Sequence, residues 1–255
     1  MEAAPLISCL CVTRGKPKLL SRAIECFMGQ SYSRKEMVLV YEDDDPETKK
    51  IASGLNCDAI RCIEVNAKPK LTLGELRNLA IHESRGELFC QWDDDDWYHS
   101  QRLEMQMGCI KTSYKPACVL VNWIIFDQLR EEAYCSNTRA WEGSLLCRKD
   151  IINKDLKYDS LVKGEDTGFI SKMLERKYLF PLIMPTLYIY VYHGNNTWNG
   201  DHFSFIFNIS QKLPKSVGLL IADILRGKYA HSMASKLLSG ATIMKEFDYF
   251  HSFRK

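Results

Sequence analysis

Four consecutive aspartates, 93–96, follow the run Leu88-Phe89-Cys90-Gln91-Trp92 and precede Trp97-Tyr98. Adjacent carboxylates repel one another, so gathering four is costly unless a cation or solvent compensates. Mg2+ and Mn2+ take hard oxygen ligands and bind through one or two carboxylates together with substrate phosphates. If strand alternation continues through the cluster, Asp93 and Asp95 point one way and Asp94 and Asp96 the other, and either pair suits a metal. A solvated acidic turn is the competing reading. A second acidic group, Glu42-Asp43-Asp44-Asp45, ends the run Met37-Val38-Leu39-Val40-Tyr41, and Thr13-Arg14 ends a third apolar run. Further along stand Glu165-Asp166, after Gly164, and His193, before Gly194. A carboxylate can accept a proton from a reacting hydroxyl. A guanidinium can pair bidentately with phosphate, which makes Arg14 and Arg77 candidates, the solvated face of a helix being the alternative for Arg77.

These residues need elements to position them. Strand-forming runs are predicted over 6–12, 37–41, 59–65 and 87–92, separated by helical patterns over 18–28, after Pro46, and over 73–82 with Thr72 as N-cap. Strands alternating with helices predict a mainly parallel α/β sheet, in which ligands collect at the carboxyl ends of the strands. Thr13-Arg14, Glu42-Asp43 and the four aspartates lie at three such ends. Acidic residues at two of them and a basic one at the first suit a metal-bound nucleotide better than a bare anion. Downstream, 101–112 reads as helix, 117–126 as strand, 141–148 as a turn into a strand, 164–177 as helix and 188–193 as an aromatic strand ending at His193. The chain after Gly200 is predicted to be mostly helical.

On these motifs the chain resembles family 2 glycosyltransferases, enzymes of the GT-A fold. The segment 87–97 followed by Gln101-Arg102-Leu103 resembles the family's D-x-D region, and 5–14 its first strand and nucleotide-contacting turn. Val38-Leu39-Val40-Tyr41-Glu42-Asp43 looks like the second strand, whose terminal carboxylate contacts the base. Gly74-Glu75-Leu76-Arg77 is similar to the helix start before the metal motif, and Gly164-Glu165-Asp166 to the Glu-Asp motif whose aspartate is the usual base. The resemblance covers about the first 200 residues. Where the family has two aspartates then Gly-Ser, this chain has Glu42-Asp43-Asp44-Asp45-Pro46, which leaves open whether Glu42 or Asp43 faces the base.

The resemblance implies a Rossmann-related, GT-A-like, mainly parallel sheet flanked by helices. It also implies inverting, metal-dependent transfer of a sugar from a nucleotide-sugar, a UDP-sugar foremost, to a glycan or lipid-linked acceptor in surface polysaccharide or other glycan synthesis. Asp166 is the expected base. Thr13, Arg14, Glu42, Asp43, Arg77, Asp93 and Asp94 are expected at the donor. Asp95, Asp93 and His193 are expected on Mn2+ or Mg2+, with His202 as a competitor to His193 and Asp96 as the least engaged aspartate. Trp141, Glu142 and Gly143 are placed on the acceptor side by position.

Two other readings use the same residues. Asp93-x-Asp95 also resembles the nucleophile and acid of haloacid-dehalogenase-type phosphatases. That family, however, has Thr or Val where Trp97 stands, and its motif ends the first strand. A non-catalytic nucleotide- or glycan-binding module is the other alternative.

The net charge of +2 does not mark a nucleic-acid binder. From Asp201 on there are 8 Lys and Arg against 4 Asp and Glu, leaving 26 against 28 before it. The expected organisation is a core over 1–200, split into a nucleotide-binding half (1–98) and an acceptor and catalytic half (99–200), with a basic helical C-terminal extension over 201–255. That extension could meet a membrane surface or a second copy of the chain. The ten cysteines show no C-x-x-C pair, and alternation puts Cys9 and Cys11 on one buried face. They predict a reducing compartment, and Glu2 with no basic opening segment argues against a secretory leader. The expected location is cytoplasmic, with the inner face of the membrane as the variant.

Overall fold

The computed structural model describes residues 4–198 and 200–240; residues 241–255 of the expected extension lie outside the described residues. The first half alternates as the sequence predicts: β1 (Ile7–Val12), α1 (Pro17–Met28), β2 (Lys35–Glu42), α2 (Pro46–Gly54), β3 (Ile60–Val65), α3 (Leu73–Glu83) and β4 (Leu88–Gln91). Then come β5 (Trp97–Tyr98), α4 (Arg102–Ser113), β6 (Ala117–Leu120), β7 (Ile124–Asp127), β8 (Glu132–Cys135), β9 (Leu146–Arg148), α5 (Glu165–Glu175), β10 (Leu179–Leu182) and β11 (Tyr188–Tyr192). The last described elements are α6 (Gly200–Ile209), β12 (Gln211–Lys212), α7 (Lys215–Leu225) and α8 (His231–Leu238).

Among the described residues the strands form two sheets. The seven-stranded sheet runs β10-β6-β9-β4-β1-β2-β3 and is parallel except for β9, which lies antiparallel between β4 and β6. Its central strands are buried on both faces, which is why β1 and β2 read as continuous apolar runs and not as alternating ones. Leu10, Val38, Val40 and Phe89 pack on one face with Leu76 and Ala80 of α3 and Phe169 of α5. Ile7, Cys9, Cys11 and Leu39 pack on the other with Leu20 and Phe27 of α1 and Leu103 of α4. Cys9 and Cys11 thus share the buried face expected of them. Local signals start the helices: Pro17 and Pro46 occupy first turns, Asp45 caps α2 by accepting from Thr48 N at 3.1 Å, and Thr72 with Glu75 forms a capping box on α3.

The predicted strand over 117–126 is two strands. Val121, Asn122 and Trp123 leave the first sheet, and Asn122 Nδ2 and Trp123 N bind Ser136 O and Oγ at 3.0 and 3.1 Å. This hands β7 to a second sheet, ordered β12-β8-β7-β11-β5. In that sheet β11 runs parallel to β7 and antiparallel to β5, the two-residue strand that follows the aspartates. No helix among the described residues is long and apolar enough to cross a membrane.

Candidate active site

Past Gln91 and the buried Trp92, the chain does not continue as a strand but turns at Asp94 and Asp95 before β5. The expected two-sided alternation of the aspartates therefore fails, because alternation lasts only as long as the ladder does. Each aspartate has its own surroundings. Asp93 Oδ1 accepts from Arg77 Nη2 at 3.1 Å. Asp94 accepts from Thr13 Oγ1 at 2.6 Å and from Lys16 Nζ at 3.2 Å. Asp95 Oδ2 lies 2.8 Å from Lys16 Nζ and 3.1 Å from His193 Nε2. Asp96 is fully buried, bonded to the Tyr188 hydroxyl and, at 2.8 Å, to Val191 N. It ties the turn to β11.

Lys16 was not among the expected site residues, although it follows Thr13-Arg14 at the same strand end. Its ammonium supplies positive charge between Asp94 and Asp95, which in turn hold its pKa up against burial. Burial, then the charge of Asp95, pushes the Asp94 carboxyl up to about 6 against the pull of Lys16. Burial opposes ionisation of Asp95 too, but the His193 hydrogen bond and the Lys16 charge overcome it and hold that carboxyl at about 2.

Arg77 is not on a solvated helix face. It is buried, and its guanidinium lies 3.1, 2.7 and 3.2 Å from Asp93, Glu142 and Glu165. Its hydrogen-bonding capacity is taken up by carboxylates, so it organises the site from within. Glu142, expected on the acceptor side, is the deepest of the three and also accepts from the Tyr158 hydroxyl. Asp93 therefore faces Arg77, whereas Asp95 faces Lys16 and His193.

At the end of β2, Arg14 Nη1 lies 2.6 Å from both Glu42 and Asp44, and Lys70 Nζ lies 2.6 Å from Glu42. Glu42 Oε1 is buried with no partner among the described residues. Asp43 is exposed, with Oδ1 accepting from Ala67 N at 2.9 Å. Glu42 is thus the carboxylate with an unused buried acceptor.

A cavity of about 140 Å³ lies between Lys16, Asp93, Asp95, Glu142, Asp166 and Trp198. A second, of about 240 Å³, adjoins it across Trp141, Asp166, Tyr190 and Trp198. Asp166 lines both. Gly164, in the left-handed region at φ 72°, turns the chain into α5, whose first turn carries Glu165 and Asp166. Glu165 goes to Arg77, whereas among the described residues Asp166 accepts from the Thr167 hydroxyl alone, at 3.5 Å. His202 lines the second cavity, stacked on Trp198 at 4.4 Å, so His193 is the imidazole that meets Asp95.

Whether a divalent ion fits can be judged from the donors. Among the described residues no three His, Cys, Asp or Glu converge as a preformed chelate. Asp95 and His193 do converge, and Mg2+ or Mn2+ bound partly through substrate phosphates needs no more than one or two protein ligands. The donor set fits such an ion.

The family described as Glycosyl transferase family 2 matches residues 8–178. An uncharacterized glycosyltransferase of Rickettsia prowazekii (strain Madrid E) is 23% identical over 133 residues, covering 52% of this chain and 41% of that protein. The chain therefore matches less than half the length of that curated relative. The crystal structure of S. aureus TarS 1–349 in complex with UDP-GlcNAc superposes with a TM-score of 0.61 at 14% identity, covering 87% of this chain and 71% of that one. The UDP complex of the same protein gives 0.59 at 14% identity, covering 87% and 70%.

Proposed function

The chain belongs to glycosyl transferase family 2, and from that membership we propose that it transfers a sugar from a UDP-sugar to an acceptor hydroxyl with inversion at the anomeric carbon. The observation that carries the reading is Asp166: a carboxylate in no ion pair among the described residues, at the junction of two cavities whose other carboxylates are engaged. The donor sugar takes the first cavity and the acceptor the second. The acceptor oxygen attacks the anomeric carbon, the bond to the diphosphate oxygen breaks, and the hydroxyl proton passes to Asp166. The nucleoside diphosphate leaves. The TarS complexes hold UDP and UDP-GlcNAc, which supports a uridine donor here.

Glu42, with its unused buried oxygen, suits an N–H of the base, while Arg14, Asp43, Thr13 and Asp94 frame the nucleoside end. Lys16 offsets charge on the diphosphate. A Mn2+ or Mg2+ ion held by Asp95 and His193 would supply Lewis-acid stabilisation of that leaving group. Arg77 holds Asp93, Glu142 and Glu165 in place and thereby fixes the start of α5. The ten cysteines are free, which supports a reducing, cytoplasmic setting, and glycan synthesis on a free or lipid-linked acceptor follows from the chemistry proposed.

The test is Asp166→Asn. Thermal protection by UDP-GlcNAc with Mn2+ should persist and be weakened by EDTA, while turnover falls by about 10²–10⁴-fold. Turnover near the wild-type rate with intact donor binding would remove Asp166 from the mechanism.

A further inference from the structure

The second cavity combines aromatic faces with a guanidinium that forms no ion pair among the described residues. Trp141 packs on Tyr190 with ring centroids 4.7 Å apart, and Trp198, 40% exposed, stacks on His202. Aromatic walls of this kind suit the apolar faces of sugar rings. Arg139 stands on the exposed rim. Its guanidinium lies 5.3 Å from the Trp123 ring centroid and forms no ion pair among the described residues. Arg14, Arg77 and Arg148 form ion pairs with neighbouring carboxylates, whereas Arg139 meets Asp166 only at longer range, its attraction offsetting part of the effect of burial. Lys163, likewise without an ion pair among the described residues, places Nζ 5.9 Å from the Trp198 ring centroid. Both cations keep access to solvent, and neither is closed off by an ion pair among the described residues, so each can take an anionic ligand. Lys16, Arg14 and Arg77 are paired with carboxylates of the chain, and Arg22 and Arg102 bond carbonyl or amide oxygens; at this rim the guanidinium of Arg139 is left for a ligand.

We infer that the acceptor is an anionic carbohydrate, bearing a phosphate or carboxylate that Arg139 holds at the cavity rim while the accepting hydroxyl faces Asp166. The inference rests on the reading of Asp166 as base and names the acceptor class for that same site. A planar guanidinium pairs bidentately with either oxyanion. The anion also needs this cation, because it would otherwise sit beside the negative charge of Asp166.

Glucose 6-phosphate, glucuronate and methyl glucoside separate the possibilities, with binding to the full chain followed by quenching of tryptophan fluorescence in the presence of UDP and Mn2+. At least one anionic probe should bind about tenfold or more tightly than methyl glucoside, with the advantage shrinking as salt rises. Which of the two binds identifies phosphate or carboxylate. Arg139→Ala should abolish the preference, and Arg139→Lys, which keeps the charge, should retain part of it even if the alanine variant folds poorly. Equal binding of methyl glucoside, no binding of either anion, or an unchanged preference in both variants would overturn the proposal. UDP-GlcNAc binding, scored in the same samples without acceptor probe, reports on the donor reading separately: its failure refutes that reading, not the anion preference.

Discussion

At the residue scale the site is a problem of proton counting. Arg77 faces Asp93, Glu142 and Glu165, and Lys16 faces Asp94 and Asp95. One guanidinium is shared between the part-exposed Asp93 and the buried Glu142 and Glu165, so the deepest of them, Glu142, is the hardest to ionise. Burial pushes Glu142 up to about 8 in spite of Arg77, with Asp166 and Asp93 adding to the rise. The folded value lies above the ordinary value of 4.5. The proton therefore stabilises the fold fully below about pH 4.5, and that contribution is lost as pH rises through about 8. Glu142→Gln fixes the neutral form while keeping a polar side chain of the same shape. Melting temperatures of both proteins taken between about pH 5 and 9 should show wild type losing stability relative to the variant as pH rises. Parallel curves would mean that Glu142 is ionised throughout.

At the element scale, α3 is the piece that joins the aspartate turn to the start of α5, where Asp166 stands. Gly74 N donates to Leu161 O at 3.2 Å, and Asn78 and Tyr158 exchange hydrogen bonds of 2.9 and 3.1 Å. A Cβ at Gly74 would stand 1.8 Å from the Asp159 carbonyl oxygen. Gly74→Ala must therefore push the segment before α5 away, at a cost of about 1–3 kcal/mol. It should lower the melting temperature and reduce turnover more than UDP binding, since Asp166 moves and the nucleotide end does not. Equal loss of both would show that α3 does not set the position of Asp166. The α3 capping box, the proline starts of α1 and α2 and the strand ends at Thr13, Glu42 and Asp93 were all legible in the chain, because each depends on neighbours within a few residues or on the general rule for parallel sheets. The break of 117–126 into two sheets was not, since the run is apolar but for Asn122 and the switch depends on the distant Ser136. Nor were the parts of Lys16 and Glu142, whose partners lie 78 and 65 residues away.

At the scale of the whole molecule, the question is whether residues 201–240 form an appendage or a wall of the core. Phe203, Ile206, Phe207, Val217 and Ile221 are buried in the same cluster as Trp92, Trp97 and Tyr188. Strand β12 extends the second sheet against β8, and His231 Nε2 lies 2.8 Å from Tyr98 O. Ser235 receives Ser100 N at 3.0 Å on Oγ and meets His99 Nε2 at 3.0 Å on its carbonyl. These contacts support β5 and β11, the strands on either side of Asp96 and just before His193. Burying one large apolar side chain is worth about 1.5–3 kcal/mol, so losing five approaches the whole stability of a typical domain, about 5–15 kcal/mol. A chain ending at residue 200 should therefore show no cooperative thermal transition and no protection by UDP-GlcNAc. If the segment served only as a membrane or dimer contact hung on a self-sufficient core, the shortened chain would melt cooperatively and still bind the nucleotide. The basic balance of the segment then belongs to the outer face of a wall whose inner face completes the active-site sheet.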